Sequence, residues 1–150
     1  MVCVFFGHRD TPSNVAPVLE KTVRQLIEER GVDVFYVGDR GIFDRMVLRI
    51  LRKLKSEYPQ IEYALVPAYQ PTVRNEFDYT DYTEAVFPDE VLKSPRRYAI
   101  ANRNRWLVKV ADIVVTYANG VGYSSDYKSL AQKRKKEVIE LANLIKENII

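Results

Sequence analysis

Three short glycine-containing stretches hold most of the side chains that could do chemistry in this chain. They are residues 7–9 (Gly-His-Arg), 38–44 (Gly-Asp-Arg-Gly-Ile-Phe-Asp) and 120–126 (Gly-Val-Gly-Tyr-Ser-Ser-Asp). A glycine turn that leads into a helix exposes N–H donors and the positive end of the helix dipole, which together suit a phosphate. Each stretch taken alone is also compatible with an ordinary tight turn. The candidate ligand-binding residues here are Gly7, His8, Arg9, Gly38, Gly41, Asp44, Gly120, Gly122 and Ser124.

A group of arginines is the second feature that suggests an anionic ligand. Serine followed by proline at Ser94-Pro95 predicts a helix that begins there and runs to about residue 111. Arg96 and Arg97 then fall in its first turn, where the helix dipole disfavours cations. An anionic ligand would offset the unfavourable energy of these two cations. Salt bridges to the acidic residues at 78, 81, 89 and 90 would offset it equally well. The candidate binding residues of this segment are Arg97, Arg103 and Asn104.

The apolar runs of the chain predict the elements that position these side chains. Short β-favouring runs at 2–6, 34–37, 61–66 and 113–117 predict strands. The run 137–141 is assigned to a fifth strand, with the start of a last helix as the alternative. Helical spacing of apolar residues predicts helices in the intervals between most of them, one of which ends at Gly31. This order predicts a single α/β domain over 1–150, with a Rossmann-like open parallel sheet of about five strands and helices on both faces. Because ligands of such sheets lie beyond the strand C-termini, the glycine stretches should share one pocket.

A long segment from 67 to 94 shows no helical or strand periodicity but is rich in aromatic residues. A loop of this length within a compact domain is usually functional. Tyr69, directly after the third strand, is a candidate ligand-binding residue. Tyr69 and the segment 77–87 are expected to cover the pocket as a lid or through a partner subunit. The alternatives are a protein-interaction surface formed by the tyrosine-rich segment 69–87, or packing of its tyrosines back on the domain.

The composition limits the classes of function. Hydrophobic residues make up 47% and charged residues 29%, which is typical of a globular protein. A formal charge of +3 makes nucleic acid an improbable partner and is compatible with an anionic small molecule. The single cysteine excludes an internal disulfide and a cysteine-rich metal site, and neither a metal nor a cofactor is expected. No apolar run reaches membrane-spanning length, so a cytoplasmic location is predicted.

Several of these motifs together resemble a known family. The start Phe6-Gly7-His8-Arg9, the 38–44 turn, and 97–100 (Arg-Tyr-Ala-Ile) leading into 103–106 (Arg-Asn-Arg-Trp) resemble the YpsA-like branch of the SLOG superfamily. The resemblance spans nearly the whole chain. It implies binding of a nucleotide or an ADP-ribose-like ligand. That superfamily includes the lonely-guy phosphoribohydrolases, which release the base from nucleoside monophosphates.

The resemblance also suggests a catalytic pair. Lonely-guy enzymes carry an Arg-Lys pair and a Pro-Gly-Gly-x-Gly-Thr-x-x-Glu turn. Aligned without gaps, that arginine falls on Arg103 and that glutamate on Asp126. Four of the six defined positions of the turn differ here, which favours binding of the ligand over its hydrolysis. In a protein that only binds the ligand, Asp44 or Asp126 would accept hydrogen bonds from the ribose hydroxyls. Nucleotide N-glycosidic hydrolysis is the alternative function, and the resemblance implies a homodimer.

Overall fold

The computed structural model describes residues 1–69, 85–120 and 122–148. Within these residues, one open sheet of parallel strands has the order β3-β2-β1-β4-β5, which confirms the predicted α/β class. The strands are β1 (Val2–Gly7), β2 (Val34–Val37), β3 (Glu62–Leu65), β4 (Ile113–Tyr117) and β5 (Glu137–Glu140). From the central β1 the chain first moves outward through β2 and β3, and then continues on the other side at β4. This reversal places the topological switch point, where open α/β sheets bind their ligands, between β1 and β4.

The helices of the described residues are α1 (Ala16–Arg30), α2 (Gly41–Glu57), α3 (Asp89–Leu92), α4 (Ala99–Val110), α5 (Tyr123–Lys133) and α6 (Leu141–Asn148). The sequence predicts α1, α2, α4 and α5. It does not predict α3, which lies in the segment without periodicity, or α6, which follows β5. Gly31 ends α1 in the left-handed conformation, with a φ of 68°. In the part of the chain that the structure describes, no helix is long and apolar enough to cross a membrane.

The helices cover both faces of the sheet because alternate strand residues point to opposite sides. On one face, Cys3 and Phe5 of β1 pack in a core with residues of α1, α2 and α6. On the other face, Val4 and Phe6 pack in a second core with residues of α4 and α5. Complete burial raises the pKa of the Cys3 thiol, as expected for an inert core cysteine.

The start of the arginine-containing helix differs from the prediction. The hydroxyl of Ser94 does not cap it, because this hydroxyl donates to the carbonyl of Glu90 and accepts from Asn102. A short 3₁₀ helix, Arg96–Tyr98, follows Pro95, and α4 begins only at Ala99. The cations at 96 and 97 therefore precede α4 and do not occupy its first turn, so the dipole argument made from the sequence was wrong about their position.

Candidate functional site

A cavity of about 520 Å³ lies at the C-terminal edge of the sheet, at the switch point. Its walls are formed by the loops after β1 and β2, by α4, and by the first turns of α5. Of the residues proposed from the sequence, those that line it are Gly7, His8, Arg9, Gly38, Asp44, Arg97, Arg103, Asn104, Gly122 and Ser124. Those that do not line it are Gly41, Tyr69, Gly120 and Asp126.

The loop after β1 is tied to the loop after β4 across the switch point. The backbone N–H of His8 donates to the carbonyl of Tyr117 at 3.2 Å. The N–H of Asn119 donates to Nε2 of His8 at 2.8 Å, so this ring nitrogen serves as an acceptor. The imidazole also stands edge-on against the ring of Tyr117. His8 therefore joins two cavity loops, and this structural role was not anticipated from its place after a glycine.

Two glycines are required by close packing beside the cavity. A Cβ at Gly7 would lie 2.1 Å from the ring of Phe43, so this ring packs directly on the glycine backbone. Gly41 has a φ of +89°, and a Cβ there would lie 2.9 Å from the Cα of Arg9. The N–H of Ile42 donates to the carbonyl of Arg9 at 2.8 Å. Gly41 therefore positions the Arg9 loop although it does not itself line the cavity.

Replacing Gly7 by alanine should destabilise the protein by about 1–3 kcal/mol, because the added methyl group overlaps the Phe43 ring and forces it to shift. Urea unfolding measures the loss. In a double-mutant cycle with Phe43→Leu, the smaller leucine side chain should leave room for the methyl group. The summed stability losses of the two single variants should therefore exceed the stability loss of the double variant. A Gly7→Ala protein as stable as the wild type would contradict the packing described above.

Asp44 is a buried carboxyl group in the cavity wall, 8% exposed, in the first turn of α2. Its Oδ2 accepts the backbone N–H of Arg40 at 2.8 Å, which satisfies one of the free donors at the start of the helix. Burial raises the pKa of Asp44 to about 6, and the nearby charge of Arg103 opposes that rise. Asp44 thus supports the start of α2 and also lies in the cavity wall.

Arg103 lines the cavity but uses several of its donors within the protein. Its side chain is almost completely buried and packs on Gly38. Nη1 donates to the carbonyl of Val66 at 2.8 Å and to Oδ1 of Asp39 at 3.1 Å, and Nε donates to Oδ1 of Asn104 at 2.7 Å. These bonds tie α4 to the C-terminal ends of β2 and β3. The main role of Arg103 in the structure is therefore to anchor α4 in the cavity wall.

The first turn of α5 forms another part of the wall. Gly122 precedes it with a φ of 133° and supplies no side-chain cap. Ser124 is 8% exposed, lines the cavity, and has no hydrogen-bond partner for its hydroxyl among the residues described. Ser125 instead donates to the carbonyl of Gly120 at 2.6 Å. Asp126, the proposed catalytic carboxylate, is exposed and outside the cavity wall, so the structure does not bring it together with Arg103 there.

Glu140, at the end of β5, holds the glycine turn between β4 and α5 in place. It was not identified from the sequence as a residue that supports the site. Its buried carboxylate accepts from the hydroxyl of Thr116 at 2.8 Å and from Nζ of Lys128 at 2.9 Å. It also accepts the backbone N–H groups of Ala118 and Ala142, both at 3.1 Å. One carboxylate thus holds the end of β4, the start of the glycine turn and the middle of α5.

The free positive charge of the cavity comes from arginines on three loops. Arg9, Arg40 and Arg97 line it, and none pairs with a carboxylate in the described part of the chain. The sequence did not single out Arg40, because the interpretation of residues 38–44 rested on the two glycines and on Asp44. Of the acidic partners considered for Arg96 and Arg97, Glu90 pairs with Lys109 instead. The acids at 78 and 81 lie outside the described residues.

Apolar and aromatic side chains form the rest of the wall. The rings of Phe6 and Tyr127 are stacked, with their centres 5.4 Å apart. Ile100 and Leu107 of α4 lie on the same cavity. Tyr123, at the start of α5, also lines it and remains 82% exposed.

Tyr69 lies beside a second, smaller cavity of about 290 Å³. That cavity is lined by Ala68, Tyr69, Val91, Leu92, Ser94, Arg96 and Ala99. The expectation that Tyr69 and the segment 77–87 cover the first cavity concerns mainly residues 77–84, which lie outside the described residues. Near the C-terminal end of this segment, the N–H of Val86 donates to the carbonyl of Leu65 at 3.0 Å.

No protein-family model matches this chain, and no curated protein is significantly similar to it. The resemblance to the SLOG superfamily therefore stays a prediction. A parallel α/β sheet hosts many unrelated functions, so the function has to be argued from the chemistry of the cavity.

Proposed function

We propose that this protein binds a nucleotide or a nucleotide-derived ligand, such as a nucleoside monophosphate or an ADP-ribose-like molecule, as a sensor or processing domain. The observation that carries the proposal is a combination found in one cavity at the switch point. Arginines that form no ion pair among the described residues lie there together with a helix start that has no side-chain cap. Its volume of about 520 Å³ is within the usual range of small-molecule sites.

The phosphate is assigned to the start of α5. The first N–H groups of a helix have no partner within the helix, and the dipole of this 11-residue helix favours an anion at that end. Ser124 is a largely buried residue of the cavity wall, and its hydroxyl has no hydrogen-bond partner among the described residues. Arg9 and Arg97 line the same cavity and offer the planar fork of donors that matches phosphate oxygens.

The charge of the wall favours an anionic ligand. Four arginines line the cavity, against two aspartates, Asp10 and Asp44. One of the arginines, Arg103, is neutralised by Asp39, which leaves a positive excess on the remaining three. A concave wall with an excess of one sign of charge attracts ligands of the opposite sign.

The apolar part of the wall suits a planar base. Small-molecule sites combine apolar and aromatic surface with a few polar groups, and Phe6, Leu107 and Tyr127 supply such surface here. A sugar phosphate without a base would leave this surface without a partner. The cavity therefore favours a nucleotide over a simple phosphorylated sugar.

Hydrolysis of the ligand has less support than binding. N-glycosidic cleavage needs a carboxylate near the ribose, and Asp126, to which the resemblance assigns this role, is outside the cavity wall. Incubation with nucleotides followed by chromatography for released base separates the two functions. The homodimer also stays a prediction, which light scattering tests.

A thermal-shift screen of nucleotides tests the proposal. A ligand at a hundredfold its Kd should stabilise the folded protein by about 2.7 kcal/mol. Ser124→Ala should reduce the affinity for that ligand by about tenfold, because it removes a hydrogen bond to a charged group. Ser129→Ala, in the same helix but outside the cavity wall, is the matched control and should bind as the wild type does. A wild-type protein that no nucleotide stabilises would refute the proposal.

A further inference from the structure

A pair of arginines outside the proposed phosphate site shares a single tyrosine ring. The guanidinium carbon of Arg96 lies 4.8 Å from the ring centre of Tyr69, and that of Arg40 lies 5.7 Å from it. Neither arginine forms an ion pair with a carboxylate among the residues described. Two like charges held near one ring repel each other, and cation–π attraction at an exposed site is weak. Among the described residues, no carboxylate pairs with either member of this arrangement, which leaves it open to an anionic ligand.

Another arginine–tyrosine pair in this protein shows the contrast. The guanidinium of Arg24 lies 5.8 Å from the ring centre of Tyr58. Arg24 is also bonded to the carboxylates of Glu20 and Glu57, which neutralise it. Within the described chain, Arg40 and Arg96 have a similar aromatic partner but form no ion pair of this kind.

The shared ring connects the two cavities. Arg40 lines the larger cavity, whereas Arg96 and Tyr69 line the smaller one. Arg97, the next residue along the chain, again lines the larger cavity. A ligand that extends out of the larger cavity past Arg40 would thus come next to Arg96.

We propose that Arg40 and Arg96 form a second anion subsite, and that the ligand carries a further phosphate beyond the one at the start of α5. The ligand is then a nucleoside diphosphate, or a nucleotide extended through a diphosphate, and not a monophosphate. The smaller cavity receives the group attached beyond the second phosphate. This inference rests on the proposed function, because it concerns the far end of the same ligand.

Isothermal titration calorimetry tests the subsite with the monophosphate and the diphosphate of each of the four ribonucleosides. The wild-type protein should bind at least one diphosphate about tenfold more tightly than the matching monophosphate, since the second phosphate gains charge-assisted hydrogen bonds. Arg96→Gln should remove that gain and leave the monophosphate affinity within about twofold. Arg105→Gln is the control, because Arg105 is exposed on α4 and bonded only to Asn102.

The outcomes separate the two proposals. A wild-type protein with no preference for diphosphates, or an Arg96→Gln variant that binds both classes as the wild type does, overturns the second subsite and leaves nucleotide binding intact. An equal loss of both classes also overturns it, because Arg96 would then not act on the second phosphate alone. If neither class binds the wild-type protein, nucleotide binding itself is refuted and the subsite with it.

Discussion

Replacing Arg103 by methionine should destabilise the protein by about 3–5 kcal/mol, the usual cost of removing one partner of a buried ion pair. Asp39 would keep its charge with little solvent to screen it, since its side chain is 12% exposed. The carbonyl of Val66 would lose the donor that Arg103 supplies at 2.8 Å. Urea unfolding monitored by circular dichroism measures the difference.

The matched control is Arg105→Met, two positions further along the same helix. Arg105 is exposed and bonds only to Asn102 within α4, so its loss should change the stability by less than about 0.5 kcal/mol. A similar small change for both variants would show that Arg103 is not an anchor. In that case its donors would be free for a ligand, as the comparison with lonely-guy enzymes implies.

Asp44→Asn should change the dependence of stability on pH by up to about 3 kcal/mol. The folded protein holds a proton on Asp44 up to a pKa of about 6, whereas the unfolded chain releases it near 3.8. The folded state therefore binds more protons between these values, and the contribution of Asp44 to stability is full below pH 3.8 and is lost as the pH rises through 6. About two pKa units correspond to about 3 kcal/mol.

The experiment compares the free energy of unfolding of wild type and variant from pH 4 to 7. Because the other carboxylates are common to both proteins, their contributions cancel in the difference. Relative to the wild type, Asp44→Asn should become more stable as the pH rises. Asp126→Asn is the control, since Asp126 is also the fourth residue of its helix but is exposed. A pH-independent difference for Asp44→Asn would show that its carboxyl group is not desolvated.

The sequence alone determined the order of the five strands and the edge of the sheet at which the cavity lies. The strands at 34–37 and 113–117 have the predicted bounds, and Gly31 ends its helix as expected. These features depend on the spacing of apolar residues and on the backbone preferences of glycine, which act over a few residues. The common position of the turns follows because parallel strands end at the same edge.

Only the tertiary structure decided what each polar side chain does at that edge. Arg103 meets Asp39 across 64 positions of the chain, and Glu140 reaches back to Thr116 and Ala118, so no local pattern indicates these partners. The direction of a side chain after a turn depends on the packing of distant elements. For this reason Asp126 faces solvent outside the cavity, while Arg40, which the sequence did not single out, lines it.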